Sequence, residues 1–382
     1  MEYRILGRTG LKVGAIALGC EGFADKTAEE VRADFDFAIR NGINFLDLYA
    51  SNPTLRSNIG AALAGRREKF VIQGHLCSVW EEGQYLRTRD PEKSLAAFED
   101  LLARLGTDYV EIGMIHYVDA EADLREVLDG PIMRLAQRLR SEGRIRHIGL
   151  SSHNPVVAHM AARTGLIDVL MFSVNPCYDL LPPSDDVDTL WADESYAREL
   201  HNIDPERQRL YEFCEREGIA IDVMKAYGGG DLLSDAHSPF GRPMTPIQCL
   251  EYALTRPGVA AVMAGCRNRA EIEAALAWCS ATAAERDYTG ALAGLDKFSW
   301  EGHCIYCGHC APCSVGIDIA GVNKYYNLTL AQHEIPETVR EHYRLLPHHA
   351  SECIACGRCE RNCPFGVDII GHMRLAAAKF GY

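Results

Sequence analysis

Two stretches of the chain concentrate residues suited to redox-metal chemistry. HCIYCGHCAPCSVGIDI (303–319) carries Cys304, Cys307, Cys310 and Cys313, and CIACGRCERNCPFGVDII (353–370) carries Cys353, Cys356, Cys359 and Cys363, followed by Pro364. The copies match at the three leading cysteines and again at Gly316/Gly366, Asp318/Asp368, Ile319/Ile369 and Gly321/Gly371, so the tail is an internal repeat. The second copy has the C-x2-C-x2-C-x3-C-P spacing of bacterial ferredoxins. The first is a variant, with Pro312 before Cys313 instead of after it. Thiolates two residues apart can wrap one corner of an iron–sulfur cube, with Gly308 and Gly357 turning backbone N–H groups toward the sulfides. In such tandem motifs the fourth ligand usually comes from the other copy. One 4Fe-4S cluster is therefore expected on Cys304, Cys307, Cys310 and Cys363, and a second on Cys353, Cys356, Cys359 and Cys313. Zinc, which prefers paired C-x2-C units set far apart, and disulfides are the alternatives.

Composition narrows the partners. With 53 acidic against 39 basic residues the net charge is −14, and no basic run with interleaved aromatics occurs, so nucleic acid is not expected. No apolar stretch is long enough to span a bilayer. The start, MEYRILGRTGLKVGAIALGC, lacks the pattern of a secretory signal, and a cytoplasmic protein with reduced thiols is expected. Cys20, Cys77, Cys177, Cys214, Cys249, Cys266 and Cys279 read as core thiols, Cys20 being singled out because it ends a strand. The segment 320–352 between the copies reads helical around TVREHYRLL, with His342, His348 and His349 on a solvated helix or loop.

What must position any further chemistry lies upstream. Apolar strand-like runs at 13–20, 43–49, 69–76, 109–117, 145–152, 168–175, 219–227 and 259–266 alternate with amphipathic helical stretches. Eight such units predict a (β/α)8 TIM barrel over residues 1–290, followed by a small α-helical ferredoxin-like di-cluster domain over 291–382. A doubly wound sheet is the alternative, but its Gly-rich G-x-G-x-x-G turn is missing. Barrel chemistry belongs at the C-terminal strand ends, which carry Asp47 and Tyr49, Gln73 and His75, His116, Ser151, Lys225 and Arg267. Within a strand, Asp47 shares a face with Tyr49, and Gln73 with His75. Lys225 and the glycines 228–230 could line a phosphate. The acidic, proline-bearing insertion 180–207 is expected as a lid over the mouth.

YRILGRTGLKVGAIALGC, GINFLDLY, DYVEIGMIH, GRIRHIGLSSHN and PGVAAVMAGCRNRAEIE, in that order, resemble the aldo-keto reductases. With its tail, the chain is similar to the iron–sulfur-bearing branch of that family, found largely among anaerobic microbes. The resemblance implies hydride transfer between NAD(P)H and a carbonyl, served by Tyr, Lys, Asp and His. Asp47 and His116 keep two of these positions, whereas Asn52 stands where the family has Tyr and His75 where it has Lys. The family's Ser-Asn pair reads Ser151-Ser152, and Met171 replaces a Gln. Gly265, Arg267 and Asn268 keep the look of the adenosine-phosphate site. The expected catalytic residues are Asp47, Tyr49, His75 and His116, and Ser151, Lys225, Gly265, Arg267 and Asn268 are the expected cofactor contacts. The expected activity is a cluster-bearing oxidoreductase acting on a small organic substrate. Its electrons would come from NAD(P)H, through a flavin where needed, or from a ferredoxin-like donor. The alternative is an electron carrier or redox sensor with a relic barrel.

Overall fold

The computed structural model describes residues 1–295, 297–330, 335 and 337–382. Eight parallel strands close into a barrel in chain order. They are β1 (Ile16–Gly19), β2 (Phe45–Leu48), β3 (Val71–Leu76), β4 (Val110–Ile115), β5 (Ile145–Ser152), β6 (Val169–Ser173), β7 (Ala220–Met224) and β8 (Val259–Gly265). Helices cover the outside: α1 (Ala28–Arg40), α2 (Pro53–Leu63), α3 (Pro91–Leu105), α4 (Glu121–Asp129), α5 (Pro131–Ser141), α6 (Pro155–Arg163), α7 (Pro205–Glu217), α8 (Pro246–Leu254) and α9 (Arg269–Leu276). Strands buried on both faces need apolar side chains at successive positions, which is why they read as continuous runs.

Several helices after strand ends begin on a side-chain cap followed by proline: Asn52, Asp90, Asn154, Asp204 and Thr245 each accept a hydrogen bond from the first turn. Most expected strands are shorter than their apolar runs. β2, β4 and β7 stop at Leu48, Ile115 and Met224, which places Tyr49, His116 and Lys225 on the first loop positions. Tyr117 and Lys225 have left-handed backbone, φ 52° and 60°, which breaks the ladder there. The expected first strand 13–20 divides in two. Lys12–Gly14 pairs antiparallel with Tyr3–Ile5, and this hairpin's Leu6 and Val13 pack with Phe45, Val71, Val169 and Ala220 to plug the barrel floor. A second hairpin, Ser78–Glu81 with Gln84–Arg87, rises beside the mouth.

The tail carries α10 (Ile319–Leu330), α11 (Glu337–Arg344) and α12 (Ile369–Phe380). The expected helix near TVREHYRLL is α11, whereas 331–334 and 336 of the segment 320–352 lie outside the described residues. Phe298–Ser299 pairs in parallel with Leu200–His201 at the far end of the 180–207 insertion. Lys324 on α10 pairs with Glu215 on α7 at 3.0 Å, and the Tyr288 hydroxyl donates to the Ile305 carbonyl at 2.8 Å. Residues on either side of the expected 290/291 division thus pack directly together. Among the described residues, no helix is long and apolar enough to cross a membrane.

Candidate functional site

Strand register brings three polar side chains into the upper barrel. Asp47 on β2 lies beside Gln73 on β3, and Asp222 on β7 beside Met171 on β6. The buried Gln73 amide donates from Nε2 to Asp47 Oδ1 (2.9 Å) and Asp222 Oδ2 (3.1 Å). His75 Nε2 lies 2.8 Å from the same Asp47 oxygen, and His75 Nδ1 lies 2.7 Å from His116 Nδ1. A carboxylate only accepts, so His75 carries a proton on Nε2. A neutral His75 then accepts at Nδ1 from His116 N–H, leaving His116 Nε2 as a base. A protonated His75 donates instead, and His116 Nε2–H becomes an acid. One proton added to the pair therefore converts its outer nitrogen from acceptor to donor. Burial, the adjacent His75 and the nearby Arg89, His153 and Arg87 hold the His116 imidazole well below its ordinary pKa. Burial and the Asp47 charge push the Asp222 pKa well up.

Aromatic rings wall this array. Tyr49 stacks on His116 with centroids 5.4 Å apart and planes 2° from parallel, and Tyr85 of the second hairpin meets both edge-on. Burial and a hydrogen bond to Glu21 push the Tyr49 phenol far up. Tyr117 leads on to His153, whose Nδ1 is 2.9 Å from Asp119 Oδ2. Burial raises the Asp119 pKa, but the hydrogen bonds from His153 and Ser152 outweigh it and hold the carboxyl low; burial lowers the His153 pKa against the pull of Asp119.

The expected cofactor contacts are scattered around the rim. Ser151 Oγ accepts from Tyr117 N–H (2.7 Å), and Ser152 Oγ donates to Asp119 Oδ1 (3.0 Å). Lys225 Nζ lies 4.4 Å from the centre of the Trp191 ring, and Asn154 donates to Asp185 (2.9 Å), so the 180–207 insertion reaches the mouth at two points. Burial lowers the Lys225 pKa against the pull of Asp119, Glu21 and Asp188. Beyond the exposed Gly265, Arg267 pairs with Glu271 at 3.0 Å, and Asn268 caps α9. Cys20 is buried at the end of β1, and burial followed by the Asp47 and Cys266 charges keeps its thiol well above the usual pKa. An inert core thiol follows.

In the tail, the two copies cross. Cys304, Cys307, Cys310 and Cys363 line one pocket, walled by Ile305, Ile319 and Phe365. Cys313, Cys353, Cys356 and Cys359 line another, walled by Val315, Ile317 and Met373. Each C-x2-C turn repeats the same two left-handed positions, Tyr306 (φ 60°) with Gly308 (φ 80°) and Ala355 (φ 52°) with Gly357 (φ 71°). Such turns aim backbone N–H groups into a concavity. All these thiols are free, and among the described residues no three Cys, His, Asp or Glu side chains converge as a single ion requires. Four sulfurs spaced around a void suit a multi-atom cluster whose irons take one thiolate each, better than tetrahedral zinc.

A model of the aldo/keto reductase family matches residues 11–243. The chain belongs to that family. A model described as a 4Fe-4S dicluster domain matches residues 303–368, so this aldo/keto reductase carries such a domain at its C-terminal end. It is 27% identical over 176 residues to the uncharacterized oxidoreductase YqkF of Bacillus subtilis, covering 45% of this chain and 56% of that one. With L-galactose dehydrogenase of Arabidopsis thaliana it is 28% identical over 202 residues, 48% and 61% of the two chains. With L-glyceraldehyde 3-phosphate reductase of Escherichia coli it is 30% identical over 165 residues, 41% and 46%. The chain thus spans about half the length of these curated relatives. Aldo-keto reductase AKR11C1 of Bacillus halodurans, in its holo form, superposes with a TM-score of 0.57 at 23% identity, over 75% of this chain and 94% of that one. That likeness concerns the fold.

In this member of the family Asn52 caps α2, its Oδ1 accepting from Leu55 N–H at 3.0 Å. Sequence reasoning missed Asp222, Asp119, Tyr85 and Trp191 as parts of the mouth, whereas Glu21 was expected there beside Cys20 at the end of the first strand. An acid inside the apolar run IAIDVM was the one available signal, for Asp222.

Proposed function

We propose that this aldo/keto reductase is an iron–sulfur-dependent oxidoreductase whose barrel mouth protonates, or deprotonates, a small organic substrate while electrons travel through the tail. Cys304, Cys307, Cys310 and Cys363 would hold one 4Fe-4S cluster, and Cys313, Cys353, Cys356 and Cys359 the other. Bound there, the clusters would supply single electrons. The observation that carries the reading is the unbroken Asp47–His75–His116 array. Reducing a carbonyl to an alcohol takes two electrons and two protons. His116 Nε2–H gives one proton to the substrate oxygen, His75 replaces it through Nδ1, and Asp47 balances the charge on His75. The second proton comes from solvent. Tyr49, Tyr85 and Tyr117 orient the substrate and thin the water around it.

A nicotinamide cofactor fits only in part. Ser152 is committed to Asp119, and Met171 offers Gln73 a thioether 3.9 Å away in place of an amide. No hydride step is assigned. Exposed Arg267 and the start of α9 favour a second reading, in which NAD(P)H binds by its phosphates and a flavin converts electron pairs into single electrons. Exposed Cys356 marks where a ferredoxin-like donor would meet the second cluster.

The test is anaerobic. Iron and sulfide are assayed in the purified protein, and cluster reduction is followed by EPR after NADH, NADPH or dithionite. Two clusters per chain, reduced by dithionite and left oxidised by NAD(P)H alone, are expected. Rapid reduction by a nicotinamide would replace this reading with the second. Two clusters with no turnover of any carbonyl or alcohol by the reduced protein would favour an electron carrier or sensor.

A further inference from the structure

Arg256, just beyond α8, is fully buried, and the chemistry above makes no use of it. Its Nη2 donates to the carbonyl of Ile305, between Cys304 and Cys307, and to the Tyr288 hydroxyl at 3.2 Å. Its Nε donates to the Tyr252 carbonyl at 3.2 Å, and the guanidinium lies 4.3 Å from the Tyr252 ring and 5.2 Å from the Tyr306 ring. Nη1 has no hydrogen-bond partner, and among the described residues no carboxylate pairs directly with Arg256. The acid in its network is Asp179, reached through the Tyr252 hydroxyl at 2.8 Å and already shared with Arg207 at 3.5 Å and Tyr211.

An arginine stays protonated in a protein, and a buried cation without a counter-charge is strongly disfavoured. The guanidinium is nevertheless fixed from several sides against the loop that carries two thiols of the first cavity. A cluster held by four thiolates is a net anion, and reduction makes it more negative. Burial opposes that added charge, whereas a fixed cation favours it. The second cavity differs: Cys356 is exposed, and water can play the part that Arg256 plays at the first.

We propose that Arg256 is the built-in counter-charge of the first cluster, raising that cluster's reduction potential. This rests on the ligand sets proposed above. The consequence is functional. An electron entering at the second cluster, beside exposed Cys356, could pass to the first because Arg256 would stabilise it there. The same network leads back to the mouth, since Asp179 N–H donates to the Asn175 carbonyl (3.1 Å) and Asn175 Nδ2 donates to the Lys225 carbonyl (2.9 Å).

The experiment is an EPR-monitored redox titration of the anaerobic holoprotein as wild type, Arg256→Gln and Arg256→Lys. A Cys356→Ser variant assigns the second cluster's signal. With iron content unchanged, Arg256→Gln should lower the first cluster's midpoint and leave the second's in place, while Arg256→Lys should fall less. An unmoved first midpoint, an equal shift of both, or equal falls in Gln and Lys would overturn the proposal. Loss of the first cluster from both variants would also overturn it, leaving Arg256 a structural part. A wild type with fewer than two clusters would fail at the ligand sets instead, and iron and sulfide analysis separates that case.

Discussion

Replacing Asp47 by leucine and by asparagine, and comparing the two, tests whether one oxygen organises the mouth. Asp47 Oδ1 accepts from both His75 Nε2 (2.8 Å) and Gln73 Nε2 (2.9 Å), and the three residues are 4%, 1% and 0% exposed. Leucine removes the acceptor. It strands the His75 donor and one of the two Gln73 amide hydrogens, the other keeping Asp222 at 3.1 Å. A buried donor left unpaired costs roughly 1–3 kcal/mol, so Asp47→Leu should lose about 2–6 kcal/mol. Asparagine keeps an oxygen in place and only turns charge-assisted bonds into neutral ones, a loss of about 1 kcal/mol. Both variants remove the buried charge near Asp222, so relief of that repulsion cancels in the comparison. Anaerobic urea unfolding of the holoproteins, followed by tryptophan fluorescence and circular dichroism, gives the difference, expected at roughly 1–5 kcal/mol in favour of asparagine. Equal stability of the two variants would refute the hub and, with it, the aligned His75–His116 pair.

Burial depresses the His116 and His153 pKa values below the ordinary 6.5, so unfolding takes up protons below that pH and stability should fall there. Asp119, with its pKa held low, loses its contribution only in stronger acid, below its ordinary 3.8. Urea midpoints between pH 8 and 5.5 should therefore drop, and by less in His153→Phe; a flat wild-type profile would count against neutral buried imidazoles. Asn52→Tyr, which supplies the Tyr that the resemblance places there, should cost about 1 kcal/mol through the lost helix cap, and should confer no NADPH-dependent carbonyl reduction; a gain of that activity would count against the cluster-fed reading. Trp191→Ala should raise the rate at which an amine reagent labels Lys225, measured by peptide mass analysis, and cost roughly 0.5–1 kcal/mol; an unchanged rate would place the insertion away from the mouth.

The barrel was legible because a strand covered on both faces leaves an unmistakable run of apolar residues, and IRHIGLSS marks β5 from Ile145 to Ser152 without error. Ends were less legible. The runs at 43–49, 109–117 and 219–227 continue apolar past the last ladder bond, and the turn at Tyr117 or Lys225 is a backbone event that apolarity does not report. Asp47, His75 and His116 could be placed at the correct end of their strands. That the two histidines touch could not, since it depends on β3 against β4 pairing His75 with Met114 and so bringing His116 level with the His75 ring.

The sequence by itself determined the repeat of cysteines, the crossed grouping it implies and the eight-fold alternation. All of these are local patterns, written in spacing along one chain. Only the tertiary structure decided that Gln73 joins Asp47 to Asp222, that Trp191 lies over Lys225, and that Arg256 presses its charge against the loop of Cys304 and Cys307. Those contacts join residues between 26 and 149 positions apart in the Gln73 pairs alone, and they arise when barrel closure and helix packing fix distances that no local spacing encodes.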